Sequence, residues 1–375
     1  MLSNKLITIF LFFCINLSFA DSNSIINERL FSRDRLNSNA LSFTHENSFS
    51  LSKSHHPSFQ KNFDFDKTNL LEIKFSNETK KFVIDRSKHH NPKTHLKSKK
   101  LSYYKYNAFI KANVLSHFNS NDLVTRELHF QYLKSAKKGA RPLMFVFPPI
   151  MGNTYVDTSV AKALVKNGSD VILVNMPSLF QDEERFSDVS ETIYQSLILI
   201  HMLLDQVLKN NFFEIETNKI GVFGVSLGGI IASTLVGAID EIQYAYILCG
   251  GGNLSDIALS SKRKSIELFR NRELTLNNEF KNLDSDQKIR EQWRDISNKY
   301  FAILDPLVYG QRVDPSKIFM VMSSNDETIP FRDQIELWNK MGNPDYELSR
   351  LSHISTIVRW SIESTNHAVE FLLEK

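Results

Sequence analysis

Cysteine is nearly absent: the chain has two in 375 residues, Cys14 and Cys249. Cys14 falls in a stretch that reads as removable, and without it Cys249 has no partner. No intramolecular disulfide can then brace the mature protein, which must be held by its core. An excess of one charge is lacking as well. Lys and Arg number 45 against 42 Asp and Glu, a formal net charge of +3. The lysines are dispersed, so neither nucleic acid nor an anionic surface is expected as the main partner. No internal repeat is present, and a 42% hydrophobic content excludes a wholly disordered chain. That content can bury a large core, in one large domain or two ordinary ones. The first twenty residues are different: Lys5 precedes an apolar stretch from Leu6 to Phe19, broken only by Thr8, Asn16 and Ser18, and Ala20 follows. This reads as a secretory signal peptide over residues 1–20, cleaved after Ala20. It is too short to span a membrane comfortably, so no stable membrane span is expected after cleavage, and the protein is expected in the periplasm or secreted. Phe13 stands where a lipidated Cys14 would need a small residue before it.

Residues 21–104 are rich in Ser, Asn, Lys and His and read as a low-complexity, partly flexible segment. Within it, Leu70 to Ile84 reads as a hairpin around Ser76-Asn77-Glu78-Thr79. The pairs His55-His56 and His89-His90 sit in solvated, lysine-rich surroundings and read as polar filler rather than metal ligands. No metal and no organic cofactor are expected.

From about residue 105 to the end, strands and helices alternate. Apolar runs at Leu143–Phe147, Val171–Val174, Ile220–Phe223, Tyr244–Leu248 and Ile318–Met322 have the continuous character of strands buried on both faces. Between them lie helical patterns, one from about Thr158 to Lys166 and one beginning near Asp188 with Glu191 as its capping residue. This alternation calls for an α/β fold with a mostly parallel central sheet and helices on both faces, whose ligands bind at the carboxyl ends of the strands. The alternation lapses at about 253–313, where Ile289, Trp293, Ile296, Tyr300 and Ile303 keep helical spacing among many charges. Because that insertion leaves from a strand end, it reads as a helical cap over a site rather than an inert surface bundle.

The sharpest signal is Gly224-Val225-Ser226-Leu227-Gly228-Gly229, preceded by the Ile220 strand and followed by small and apolar residues that continue as a helix. A serine in so tight a corner takes strained backbone angles, and small residues two positions away on either side make room for it. The corner lifts the hydroxyl clear and turns the first N–H groups of the helix toward an oxyanion. A serine hydroxyl is a weak nucleophile at neutral pH, so it needs a histidine base, itself oriented by a carboxylate. Asp326 follows the Ile318 strand, and His353 follows a last strand over Tyr346–Leu351. Rival readings exist for each: Glu327 or Asp305 for the acid, and His367, within a terminal helix, for the base. Asp326 could also simply cap the helix holding Ile335 and Leu337.

These motifs, with the Asn325-Asp326-Glu327-Thr328-Ile329-Pro330 loop and Ser352-His353, resemble the α/β-hydrolase superfamily, in its serine esterase and lipase-like branch, over roughly two thirds of the chain. The resemblance implies an acyl-enzyme mechanism on a carboxylic ester, with Ser226 as nucleophile, His353 as base and Asp326 as acid. It also implies an oxyanion hole from the backbone N–H of Leu227 and one N–H from the loop after the Phe145 strand. Where these enzymes often carry His-Gly, this chain has Pro148-Pro149. Proline has no N–H, so the second donor is Ile150 or Met151, with Ile150 preferred. A small-molecule or lipid-like ester is the implied substrate. Acyl transfer or peptide cleavage by the same residues, and a non-catalytic binding protein on this fold, are the alternative functions.

Overall fold

The computed structural model describes residues 42–43, 68–75, 80–84, 101–116, 122–177, 179, 185–210, 213–281, 283 and 285–374. The signal-like residues 1–20, Cys14 and both histidine pairs lie outside them. The strands are β1 (Ser42–Phe43), β2 (Asn69–Phe75), β3 (Lys80–Ile84), β4 (Leu101–Leu115), β5 (Leu123–Ser135), β6 (Arg141–Phe147), β7 (Asp170–Val174), β8 (Ile215–Val225), β9 (Tyr244–Leu248), β10 (Ile318–Ser323) and β11 (Asp345–Ser349). All belong to one sheet, ordered β1-β2-β4-β5-β7-β6-β8-β9-β10-β11, with β3 also on β4. From β7 to β11 neighbouring strands run parallel, and from β1 to β7 they run antiparallel.

Strands β6, β7 and β9 are buried at every position, as parallel strands covered on both faces require. Alternate residues feed two cores. Phe145, Phe147, Ile172 and Val222 pack with helices α2 (Phe186–Lys209) and α3 (Leu227–Ala238). Met144, Val146, Leu173 and Phe223 pack with α1 (Tyr155–Lys166), α8 (His353–Glu363) and α9 (Thr365–Glu374). The α/β layering expected from the sequence is thus present, with helices on both faces.

Three expectations are corrected. Leu70 to Ile84 is not a hairpin, because β2 and β3 do not pair with each other. Both run antiparallel to β4, β2 against residues 108–113 and β3 against 101–105. The fifteen-residue β4 is long enough to offer one edge to both. The sheet also reaches back before residue 105, so that boundary falls inside β4. Finally, α2 begins at Phe186, and its carboxylate cap is Asp188, which accepts from Arg185 N–H at 2.8 Å; Glu191 accepts instead from the Gln195 side chain.

The insertion after β9 contains α4 (Leu254–Ser260), α5 (Lys264–Leu276) and α6 (Asp286–Phe301). Trp293, Phe269 and Phe301 of this insertion surround Phe186 at the start of α2, with ring centroids 4.8 to 5.7 Å away. Glu273 accepts from Arg185 Nε at 2.7 Å and from Phe186 N–H at 2.8 Å, fastening α5 to the same point. At the opposite ends of the strands, the buried Asp170 accepts from Arg141 Nε, Tyr132 hydroxyl and Ser135 N–H. A paired and hydrogen-bonded ion is the form in which a buried charge is tolerated.

Asp333, in α7 (Phe331–Lys340), carries a pH dependence of stability. Burial, reinforced by Glu336 and Asp305 and opposed by Arg332, pushes its carboxyl up to about 7. The unfolded value is about 3.9, so the folded state retains a proton that the unfolded state gives up. The resulting stabilisation is complete below about pH 4 and lost as pH rises toward 7. Asp333→Asn should therefore flatten the fall in Tm between pH 5 and pH 8, with the variant the more stable protein at pH 8. A melting series that remains parallel to wild type across this range would contradict the assignment.

Candidate active site

Strand β8 delivers Ser226 to the carboxyl edge of the sheet, and α3 leaves immediately after it. Ser226 sits at φ 56°, ψ −117°, a region L residues seldom occupy. Its N–H donates to Leu248 O on β9 at 2.8 Å, anchoring the corner. The two flanking glycines are there for space. A Cβ on Gly224 would collide with the backbone of Gly228, and one on Gly228 with the carbonyls of Phe147 and Pro148 at the end of β6. The corner, the start of α3 and the loop after β6 are thereby pressed together with no side chain between them.

Two further strand ends complete the cluster. His353, the first residue of α8, is buried and brings Nε2 to 2.9 Å from Ser226 Oγ. Its Nδ1 lies 2.6 Å from Asp326 Oδ2 in the loop after β10. The other Asp326 oxygen accepts from the N–H groups of Thr328 and Ile329, both at 2.8 Å, and Gln334 Nε2 donates to Oδ2 at 3.1 Å. The carboxylate is therefore held from several sides in one orientation. Such a chain can pass the serine proton to the ring while the carboxylate stabilises the resulting cation.

The rival residues are elsewhere. Glu327 is 65% exposed at its side chain and pairs with Lys262 at 3.4 Å. Asp305 accepts from the N–H groups of Asn253, Leu254 and Leu307, bracing the two ends of the insertion. His367, an exposed residue of α9, lies against Phe319 and contacts the Tyr246 hydroxyl at 3.1 Å, away from Ser226.

A small cavity of about 60 Å³ adjoins Ser226. Ile150 and Leu227 line it on the sheet side, and Leu254, Ile257, Arg263, Ile266 and Phe301 line it from the insertion. The N–H of Leu227, at the first position of α3, lies within the first turn, whose N–H groups have no acceptor in the helix itself. Ile150 lines this cavity, whereas the neighbouring Met151 is exposed. The insertion thus covers the serine as a cap does. Sequence reasoning did not single out Arg263 or Gln334.

Cys249, Asp326 and His353 offer donor atoms within 4.8 Å of one another, of types that a zinc ion accepts. Both ring nitrogens of His353 are already engaged with Ser226 and Asp326. Burial, and then the charge of Asp326, push the Cys249 thiol up and away from the thiolate form that binds metal. The donor set suits proton transfer better than metal binding. Among the described residues, no helix is long and apolar enough to cross a membrane.

No family model and no curated protein matches the sequence. Solved structures do match in shape. Acetyl xylan esterase 1 from Thermoanaerobacterium sp. JW/SL YS485 aligns with a TM-score of 0.51 at 11% identity, covering 79% of this chain and 88% of the other. The acetyl xylan esterase from Paenibacillus sp. R4 aligns with a TM-score of 0.50 at 13% identity, covering 76% and 88%. At such identities the likeness is one of fold, and the fold is that of the α/β-hydrolases.

Proposed function

We propose that this α/β-hydrolase-fold protein is a serine hydrolase that cleaves a small-molecule or lipid-like carboxylic ester. The observation that supports it most is the continuous hydrogen-bonded line from Ser226 Oγ through His353 to Asp326, ending at a serine in strained backbone geometry. Ser226 Oγ attacks the carbonyl carbon as His353 Nε2 takes its proton. The oxyanion is met by the N–H groups of Leu227 and Ile150. Collapse passes the proton from His353 to the departing alcohol, leaving an acyl-serine. Water then attacks the acyl carbon, His353 takes a proton from it, and the carboxylic acid leaves as Ser226 recovers its hydrogen. The signal-like residues 1–20 support an exported enzyme, periplasmic or secreted.

The direct test is labelling of the purified protein by a fluorophosphonate probe, wild type beside Ser226→Ala, followed by p-nitrophenyl esters of rising chain length. Labelling that disappears in the variant is expected. Well-folded wild-type protein that neither labels nor turns over any ester would favour a binding role for the fold.

A further inference from the structure

The cavity at Ser226 is apolar except at three lining residues, Ser226, Thr328 and Arg263. Arg263 is the anomaly. Its Nε is buried without a hydrogen-bond partner, and among the described residues no carboxylate pairs with its guanidinium. Burial alone pushes its pKa below the ordinary value, yet a guanidinium remains charged throughout the working range of an enzyme. An arginine retained only for architecture would be paired, and this fold shows how that is done. Arg141 gives its donors to Asp170, Glu214 and the carbonyls of Lys137, Gly139 and Phe213. Nor does Arg263 cap α4, since Arg270 takes the carbonyls of Leu259 and Ser261 at 2.9 Å each.

The backbone beside Arg263 is pinned to the loop carrying Asp326. Lys262 N–H donates to Glu327 O at 2.7 Å, and Arg263 N–H donates to Ser261 Oγ at 3.3 Å. The backbone that carries Arg263 is thus anchored beside the cavity that holds the nucleophile, and the guanidinium lining that cavity has a buried Nε without an acceptor. Cations also gather outside: Lys262, which pairs with Glu327, lines an open depression of about 500 Å³ beside Asp326 together with Arg290 and Arg332.

We infer that Arg263 binds a carboxylate on the substrate, so that the ester cleaved at Ser226 is an anionic one. This rests on the hydrolase reading of Ser226. The guanidinium forms charge-assisted hydrogen bonds that match a carboxylate in shape, and the apolar walls exclude the water that would otherwise compete for both. The bound anion supplies the partner that the folded protein leaves out. The carboxylate can belong to the acyl side or to the alcohol side of the ester.

The test compares kcat/KM for two matched pairs. Mono-p-nitrophenyl succinate against p-nitrophenyl butyrate places the charge on the acyl side; 3-acetoxypropanoate against propyl acetate places it on the alcohol side. Wild type should favour the anionic member of one pair, and Arg263→Met should lower that anionic-to-neutral ratio by roughly ten- to hundredfold, the effect of losing a charged hydrogen bond. Arg263→Lys, which retains the charge but not the fork, should fall between. No preference in either pair, or a ratio unchanged by Arg263→Met, overturns the inference. Calorimetric titration of succinate into Ser226→Ala and into Ser226→Ala with Arg263→Met separates this from the catalytic reading. Arg263-dependent binding in a protein that hydrolyses no ester would leave the anion site standing while the hydrolase reading fell; absence of binding together with absence of turnover would remove both.

Discussion

Ser226→Ala should lower kcat for ester hydrolysis by roughly four to six orders of magnitude while moving Tm by no more than a degree or two. The first effect follows from removing the hydroxyl that lies 2.9 Å from His353 Nε2. The second follows because alanine keeps the Cβ, and so keeps the backbone strain at φ 56°, ψ −117°. Ser226→Gly supplies the matching control. It should be equally inactive but measurably more stable than Ser226→Ala, because glycine relieves a strain of about 1–3 kcal/mol. Turnover that survives in Ser226→Ala would dismiss the nucleophile. Equal melting temperatures for the two variants would mean that the corner is relaxed.

Asp326→Asn should reduce kcat by roughly 10³–10⁴ with the fold intact. The carboxylate takes its orientation from the N–H groups of Thr328 and Ile329 and from Gln334, so the asparagine will sit in nearly the same place. What it loses is the charge that stabilises the imidazolium, and with its amide nitrogen toward Nδ1 it would favour the wrong ring tautomer. His353→Ala should cost as much. Glu327→Gln, at an exposed side chain paired with Lys262, should change kcat by less than about threefold. His367→Ala, in contact with Tyr246 and Phe319, should lower Tm with little change in kcat. A large kinetic loss in Glu327→Gln with a small one in Asp326→Asn would exchange the two acids.

The parts of this site that could be read in the sequence are those whose physical requirement is local. The corner at Ser226 needs glycines two residues to either side and a strand and a helix next to it, and all of these fall within fourteen residues, 219–232. Asp326 was readable because it follows the apolar run of β10, and His353 because it follows the last strand-like stretch of the chain, although β11 itself is largely exposed; a parallel sheet gathers such ends on one edge. Pairing between distant strands leaves no comparable mark. The residues of β2 and β3 announced strands, but their common partner is the long edge of β4, and a short polar stretch between two strands looks the same whether or not it closes a hairpin. Arg263 was hidden for a different reason. It stands between Lys262 and Lys264, in a run that reads as solvated surface, and only the folded cap shows which of the three cations lines the cavity. Arg141 and Asp170 were likewise ordinary charges flanking strands until the fold joined them.

The hydrogen bond between Ser226 and His353 joins residues 127 positions apart in the chain, and the one between His353 and Asp326 spans 27. Between Ser226 and His353 the chain must lay β9, β10 and β11 in register beside β8 and set the whole cap between two of them. Closing loops of this length is slow relative to forming helices. Each helix and each strand pair can therefore form before the proton relay exists. During refolding, ester hydrolysis by the proposed triad should return only once the ends of β8 and β10 and the start of α8 are all in place, after the ellipticity of the helices has recovered.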